Sequence, residues 1–166
     1  METQNQHSNH KTHDTHYRKF VIMILISFIA MYALMYSMVD SFANVINNIN
    51  QLYMAGLMTA VMVLIEMIVM GGMYRNKKTN AIIMVIGSVV LVLSFLFIRN
   101  QTAVSDKQFL RSMIPHHAAA ILMVQEAEFR DPEIRKLAEE IISAQQKEID
   151  FMKTKLKQAD EKQMAP

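Results

Sequence analysis

The chain has 166 residues, 52% of them hydrophobic and 19% charged, with a formal net charge of +2, no Cys, no Trp and 16 Met. Without Cys there is no disulfide framework, iron–sulfur cluster, thiolate zinc site or Cys nucleophile, so any metal would need His, Met or oxygen ligands. A near-neutral chain without a long basic run leaves no electrostatic footprint for nucleic acid. A single soluble globule is also excluded, because residues 20 to 98 carry only Asp40, Glu66, Arg75, Lys77 and Lys78 as charges.

Residues 1–19 are polar and lack apolar periodicity, which predicts a disordered tail. His7, His10, His13 and His16 recur there at every third position. Imidazoles at that interval on a flexible chain can wrap Cu(II), Zn(II) or Ni(II), and the alternative is a pH-responsive polar leader with no ligand.

Three apolar runs follow, at residues 20–39, 52–70 and 81–98. Each has about the 17 to 25 residues that carry a helix across a bilayer, where every backbone N–H must be satisfied within its own segment. Residues 20–99 are therefore expected to be a three-span transmembrane region. The first run exceeds the usual apolar core of a secretory signal, although Ser41-Phe42-Ala43 resembles a cleavage site. Arg18 and Lys19 precede the first span and Arg75, Lys77 and Lys78 lie between the second and third, while the loop at 40–51 has no Lys or Arg. This predicts a cytoplasmic N-terminus and an extracytoplasmic C-terminal part.

Within the spans, Met31, Met35 and Met38 share one face of the first, and Met54, Met58 and Met62 one face of the second. Gap filling between helices or against lipid is the default role for such residues, with a copper path as the alternative. Glu66 differs, because an ionisable group at membrane depth is costly and faces a helix interface or a hydrated cavity. Candidate roles are pairing with Tyr32 or Tyr36, a proton relay in an oligomeric channel, or a place beside a soft cation.

From Ser105 the apolar period becomes helical. Ser105-Asp106-Lys107-Gln108 fits a capping box, Asp131-Pro132 a second helix start, and the spacing of Ile134, Leu137, Ala138, Ile141, Ile142, Ile149, Met152 and Leu156 a long amphipathic stripe. The fold class is thus all-α: three transmembrane helices followed by a helical hairpin over 105–160. Two helices bury too little apolar surface to stand alone, so the stripe is expected to meet a second copy, as a homodimer, or the membrane region.

The first hairpin helix carries Met113-Ile114-Pro115-His116-His117, with Met123 further along the same helix. Pro115 removes a donor and crowds the preceding turn, which is expected to open the helix locally. Imidazole with thioether and no thiolate points first to copper, Cu(I) or Cu(II), with Met113, His116, His117, Met123 and Met152 as candidate ligands. Gln145 and Glu148 interrupt the stripe of the second helix, where a carboxylate that holds one ring nitrogen leaves the other for metal. The alternative is one core histidine bonded to Glu148 beside a solvated neighbour.

The run Phe109 to His117, with Ala120-Ile121, Met123, Asp131-Pro132-Glu133-Ile134, Leu137-Ala138, Ile141-Ile142, Gln145, Glu148-Ile149 and Met152, resembles the domain of unknown function 305 family. The resemblance implies a ferritin-like helical fold, exported or tethered to the inner (cytoplasmic) membrane of bacteria, with a link to copper binding and tolerance. A di-iron enzyme is disfavoured, since no Glu-x-x-His pair occurs, and no hydrolase motif or phosphate loop is present either. The expected function is a non-enzymatic, membrane-anchored protein that binds or buffers copper on the extracytoplasmic side, with copper-handling proteins as partners. The alternative is a metal-free structural or assembly module of the envelope.

Overall fold

A computed structural model describes residues 2–164 except 75, with side chains over 16–162. The chain is all helical, with no strand among the described residues. Helix α1 spans Glu2–Leu34, α2 Ile49–Met70, α3 Lys77–Arg99, α4 Asp106–Glu126 and α5 Pro132–Met164, with short 3-10 turns at Met35–Met38, Phe42–Asn44 and Gly71–Met73. Because α1 begins at Glu2, the backbone of the segment expected to be disordered continues the helix of the first apolar run. Extending an existing helix adds one hydrogen bond per residue without a second nucleation cost. The side chains of His7, His10 and His13 lie outside the described residues, and His16 is exposed.

Three stretches, His16–Met38, Ile49–Met73 and Lys77–Arg99, are long and apolar enough to cross a membrane. Their outer faces are bare hydrocarbon: Ile68 is 72% and Val69 75% exposed. In water such surface is unfavourable, and in lipid it is the matched solvent. The chain divides into two compact units.

The first unit takes residues 1–33 and 52–102, hence most of the three apolar helices. Small residues let α2 and α3 approach closely. A Cβ added at Gly56 would meet Ser94 Oγ at 3.2 Å, and one at Gly87 would meet Leu64 Cδ2 at 3.1 Å, the kind of contact that replaces the hydrophobic driving force where the surroundings are apolar too. Phe20, Val63, Met67 and Tyr74 form a buried cluster. Beside it the Tyr17 hydroxyl donates to Asn80 Oδ1 (2.8 Å), and Asn80 Nδ2 donates to the Tyr74 carbonyl (2.8 Å). Asn76 caps α3 by accepting from Lys78 N and Thr79 N, both at 3.1 Å. The start of the first apolar stretch thus meets the connection between α2 and α3.

The second unit takes residues 34–51 and 103–166. Its core is the facing stripes of α4 and α5: Ile114, Ala118 and Ile121 against Ile149, Met152 and Leu156. Val39 and Ile46, from the loop after the first span, pack onto that core. The hairpin therefore has a third layer within its own chain, which answers in part the expectation that two helices need more cover. Pro115 is buried and lies within the unbroken run of α4, where it has no N–H to give the Arg111 carbonyl.

The predicted helix starts appear at their predicted residues. Ser105 Oγ accepts from Gln108 N (3.4 Å), and Asp131 Oδ1 accepts from Glu133 N (2.8 Å) with Pro132 opening α5. The reciprocal half of the capping box is redirected, because Gln108 Oε1 accepts from Ile49 N (3.2 Å), an orphan donor at the first turn of α2.

Candidate functional site

His116 and His117 are adjacent on α4 but their environments differ completely. About 100° separates neighbours on a helix, so His117 turns into the α4–α5 seam, where it is 8% exposed, and His116 turns outward. Their ring centroids stand 6.2 Å apart at an interplanar angle of 64°.

Both ring nitrogens of His117 are engaged. Nδ1 lies 2.9 Å from the Met113 carbonyl oxygen, one turn back on the same helix, and Nε2 lies 2.6 Å from Glu148 Oε2 on α5. A carbonyl and a carboxylate oxygen are acceptors, so both contacts call on ring N–H groups and occupy the two nitrogens with protein partners. The expected Glu148 contact is present. The expected vacant nitrogen is not, because the helix's own backbone takes it. In this arrangement both His117 nitrogens face protein oxygens rather than open space.

The sulfur atoms are dispersed as well. Met152 is 6% exposed and part of the hairpin core, while Met113 packs partly buried against that core. Met123 is 53% exposed, seven residues after His116 and so on the same outward face of α4. Gln145 is half-buried, with neither histidine as a hydrogen-bond partner. No group of three or more His, Asp or Glu side chains able to hold a metal occurs among the described residues. The five proposed ligands therefore split into an outward pair, His116 and Met123, and an inward trio, Met113, His117 and Met152.

Around the same helix lies a polar strip that the sequence reading did not single out. Ser112 Oγ sits 2.8 Å from the Gln108 carbonyl and 3.3 Å from Asn48 Oδ1, and Asn50 Nδ2 donates to it (3.3 Å). Asn48 also holds the loop through Gln51, whose backbone N–H donates to its Oδ1 at 2.9 Å. The available signal was the density of amide residues over 44–51 opposite Gln108 and Ser112, spaced four apart on one helix face. A further ion pair joins the hairpin ends: Lys107 hydrogen-bonds Asp160, and that bond, followed by the charges of Lys107 and Arg111, holds the Asp160 carboxyl below its ordinary range.

In the first unit, Glu66 accepts a hydrogen bond from the Tyr74 hydroxyl at 3.4 Å. The partner thus comes from just beyond the second span, whereas Tyr36, one of the tyrosines suggested by sequence, donates to the Ile46 carbonyl (2.9 Å). Burial first, then the charge and hydrogen bond of Glu66, raise the Tyr74 hydroxyl above its ordinary value, so it stays a donor.

The model of the family described as Domain of unknown function (DUF305) matches residues 66–166, more than half of the chain. The chain belongs to the DUF305 family. The match takes in α3 and the end of α2 as well as the hairpin, a longer stretch than the His-pair motif alone covers. A curated relative, Uncharacterized protein L153 of Acanthamoeba polyphaga mimivirus, is 36% identical over 115 residues, covering 68% of this chain and 74% of that one. No solved structure matches.

Proposed function

We propose that this DUF305 protein is a membrane-anchored, non-enzymatic module that receives and hands on copper outside the cytoplasm, with His116 as its accessible imidazole. The observation that carries the reading is the division of labour within the His pair. His117 and Glu148 pin α4 to α5, and His116 stays at the surface on the same face as the Met123 thioether. Imidazole and thioether together favour copper over harder cations. Two donors make an exchanging site rather than a storage site. A second copy would supply more: Ile134, Leu137 and Phe151 leave an apolar face on α5, 49%, 54% and 60% exposed, which another hairpin would cover to complete a ferritin-like four-helix bundle.

The positive residues Arg18, Lys19, Lys77 and Lys78 support a cytoplasmic N-terminus, and with three crossings the hairpin lies on the other side, of the inner membrane in a bacterial cell. The tail histidines His7, His10, His13 and His16 would then form a separate cytoplasmic site.

The test is a Cu(I) titration of the full chain in detergent against a competing chelator. The expected result is copper retention that falls in His116→Ala while hairpin helicity is kept. The second reading, a structural or assembly module, is favoured by the occupied nitrogens of His117. It takes over if the wild type retains no copper and His117→Ala alone disturbs the hairpin.

A further inference from the structure

Among the three apolar helices of the first unit lies a groove of about 470 Å³. It extends from Tyr17 to Phe28 on α1 and from Thr79 to Val90 on α3, and α2 adds Gly56 to Val63. Apart from Tyr17, Thr59 and Thr79 the lining is apolar. The Tyr17 hydroxyl is taken by Asn80 Oδ1 at 2.8 Å and the Thr59 hydroxyl by Met31 Sδ at 3.6 Å. Eleven residue steps separate the two ends on α1 and on α3, which is about 16 Å of helix at 1.5 Å per residue. The hydrocarbon core of a bilayer is about 30 Å thick, so the groove has the depth of one leaflet. The apolar stretches themselves continue beyond it to Met38, Ile49 and Arg99.

One end of the groove is basic. Arg18 and Lys19 directly follow Tyr17, Lys77 and Lys78 directly precede Thr79, and all four are exposed. The bond between Tyr17 and Asn80 ties these two segments together, and residues 16–19 and 76–80 contain no Asp or Glu. Glu66, the one carboxylate of α2, lines a separate groove and accepts from Tyr74. A basic cluster at the edge of the hydrocarbon attracts anionic head groups. An apolar slot that no side chain fills forfeits dispersion contacts until hydrocarbon enters it. A helix of a second copy would need a seat along the whole span, whereas this groove stops at mid-depth. A lipid without net charge would leave the four cations unpaired.

We propose that the groove holds one acyl chain of an anionic phospholipid, drawn from the leaflet on the basic side, with its phosphate held by Arg18, Lys19, Lys77 and Lys78. The site presupposes the membrane anchoring proposed above and is independent of His116. The lipid completes the packing of the three helices, so their stability follows the anionic lipid content of the membrane.

Membranes bearing the full chain are first washed with alkaline carbonate; release of the chain without detergent would overturn the membrane anchoring and this site together. The retained chain is purified in detergent and offered equal amounts of phosphatidylglycerol and phosphatidylcholine, and the lipid it keeps is counted by native mass spectrometry. One phosphatidylglycerol per chain is expected, preferred by about tenfold or more. The Lys77→Gln, Lys78→Gln double variant should lose most of that preference. Val21→Trp, at a groove residue 52% exposed, should expel the lipid while helicity by circular dichroism is kept. Phosphatidylglycerol with a photoreactive group near the end of its tail should label the deep end, around Phe28, Gly56 and Val90. Equal retention of the two lipids by an embedded chain overturns this proposal alone, as does label scattered over outer residues such as Ile68 and Val69. Lipid that survives Val21→Trp also overturns it, and so does a lipid-free dimer that Val21→Trp splits, which would assign the groove to a second copy.

Discussion

Deleting the Glu148 carboxylate separates the two roles of the histidine pair. Hydrogen bonds to charged groups contribute about 1.5 to 3 kcal/mol when well buried, whereas exposed ion pairs contribute about 0 to 1 kcal/mol. The His117 side chain is 11% and the Glu148 side chain 57% exposed, which places Glu148→Ala near a loss of about 1 kcal/mol. His117→Ala also removes the Nδ1 contact to the Met113 carbonyl and leaves a void in the seam, for about 2 to 3 kcal/mol. In the double variant the Glu148 change should add almost nothing, a coupling of about 1 kcal/mol.

Amide hydrogen exchange over α4 and α5 of the full chain reads these values, because 1 kcal/mol changes the opening equilibrium about fivefold. Glu148→Gln should cost less than Glu148→Ala, since the amide donates to the Nε2 lone pair of a ring protonated on Nδ1. Copper provides a second readout: Glu148→Ala removes the group that occupies His117 Nε2, so that nitrogen becomes available and the variant should bind Cu(I) more tightly than the wild type even though its hairpin is less stable. If Glu148→Ala costs as much without His117 as with it, or if it loses copper, the account of the pair is wrong.

Ile149 is fully buried in the hairpin core, and Ile149→Ala should destabilise that unit by about 3 kcal/mol; unchanged exchange in α5 would show that the core lies elsewhere. Gly87→Leu should prise α3 from α2, because even a Cβ meets Leu64 Cδ2 at 3.1 Å, and thermal aggregation in detergent should begin at a lower temperature while Gly87→Ala stays close to the wild type. The depressed Asp160 carboxyl stabilises the folded state above the ordinary carboxylate range and loses that contribution as pH falls through its lowered value. The stability difference between wild type and Lys107→Ala should accordingly shrink on acidification, and a gap that widens would contradict the ion pair. Ser112→Ala should release the loop at 34–51, raising its exchange while α5 is little affected.

Residue identity alone determined the three apolar helices, the helix starts at Ser105 and Asp131, the amphipathic hairpin and its DUF305 membership. Each of these rests on local periodicity, capping chemistry or a contiguous motif. The pairing of His117 with Glu148 was also visible as a possibility, because both interrupt apolar stripes that have to face each other. Tertiary structure decided how the donors are shared. Periodicity gives the angle of a side chain around its own helix but not which nitrogen meets a backbone carbonyl, so only packing reveals that Met113 O occupies His117 Nδ1 and that Met152 is core. It likewise decided that Asn48 and Ile46 cover the hairpin from a loop some 60 residues away in the chain. Contacts between residues so distant in sequence arise from the mutual fit of surfaces, and no local pattern encodes that fit.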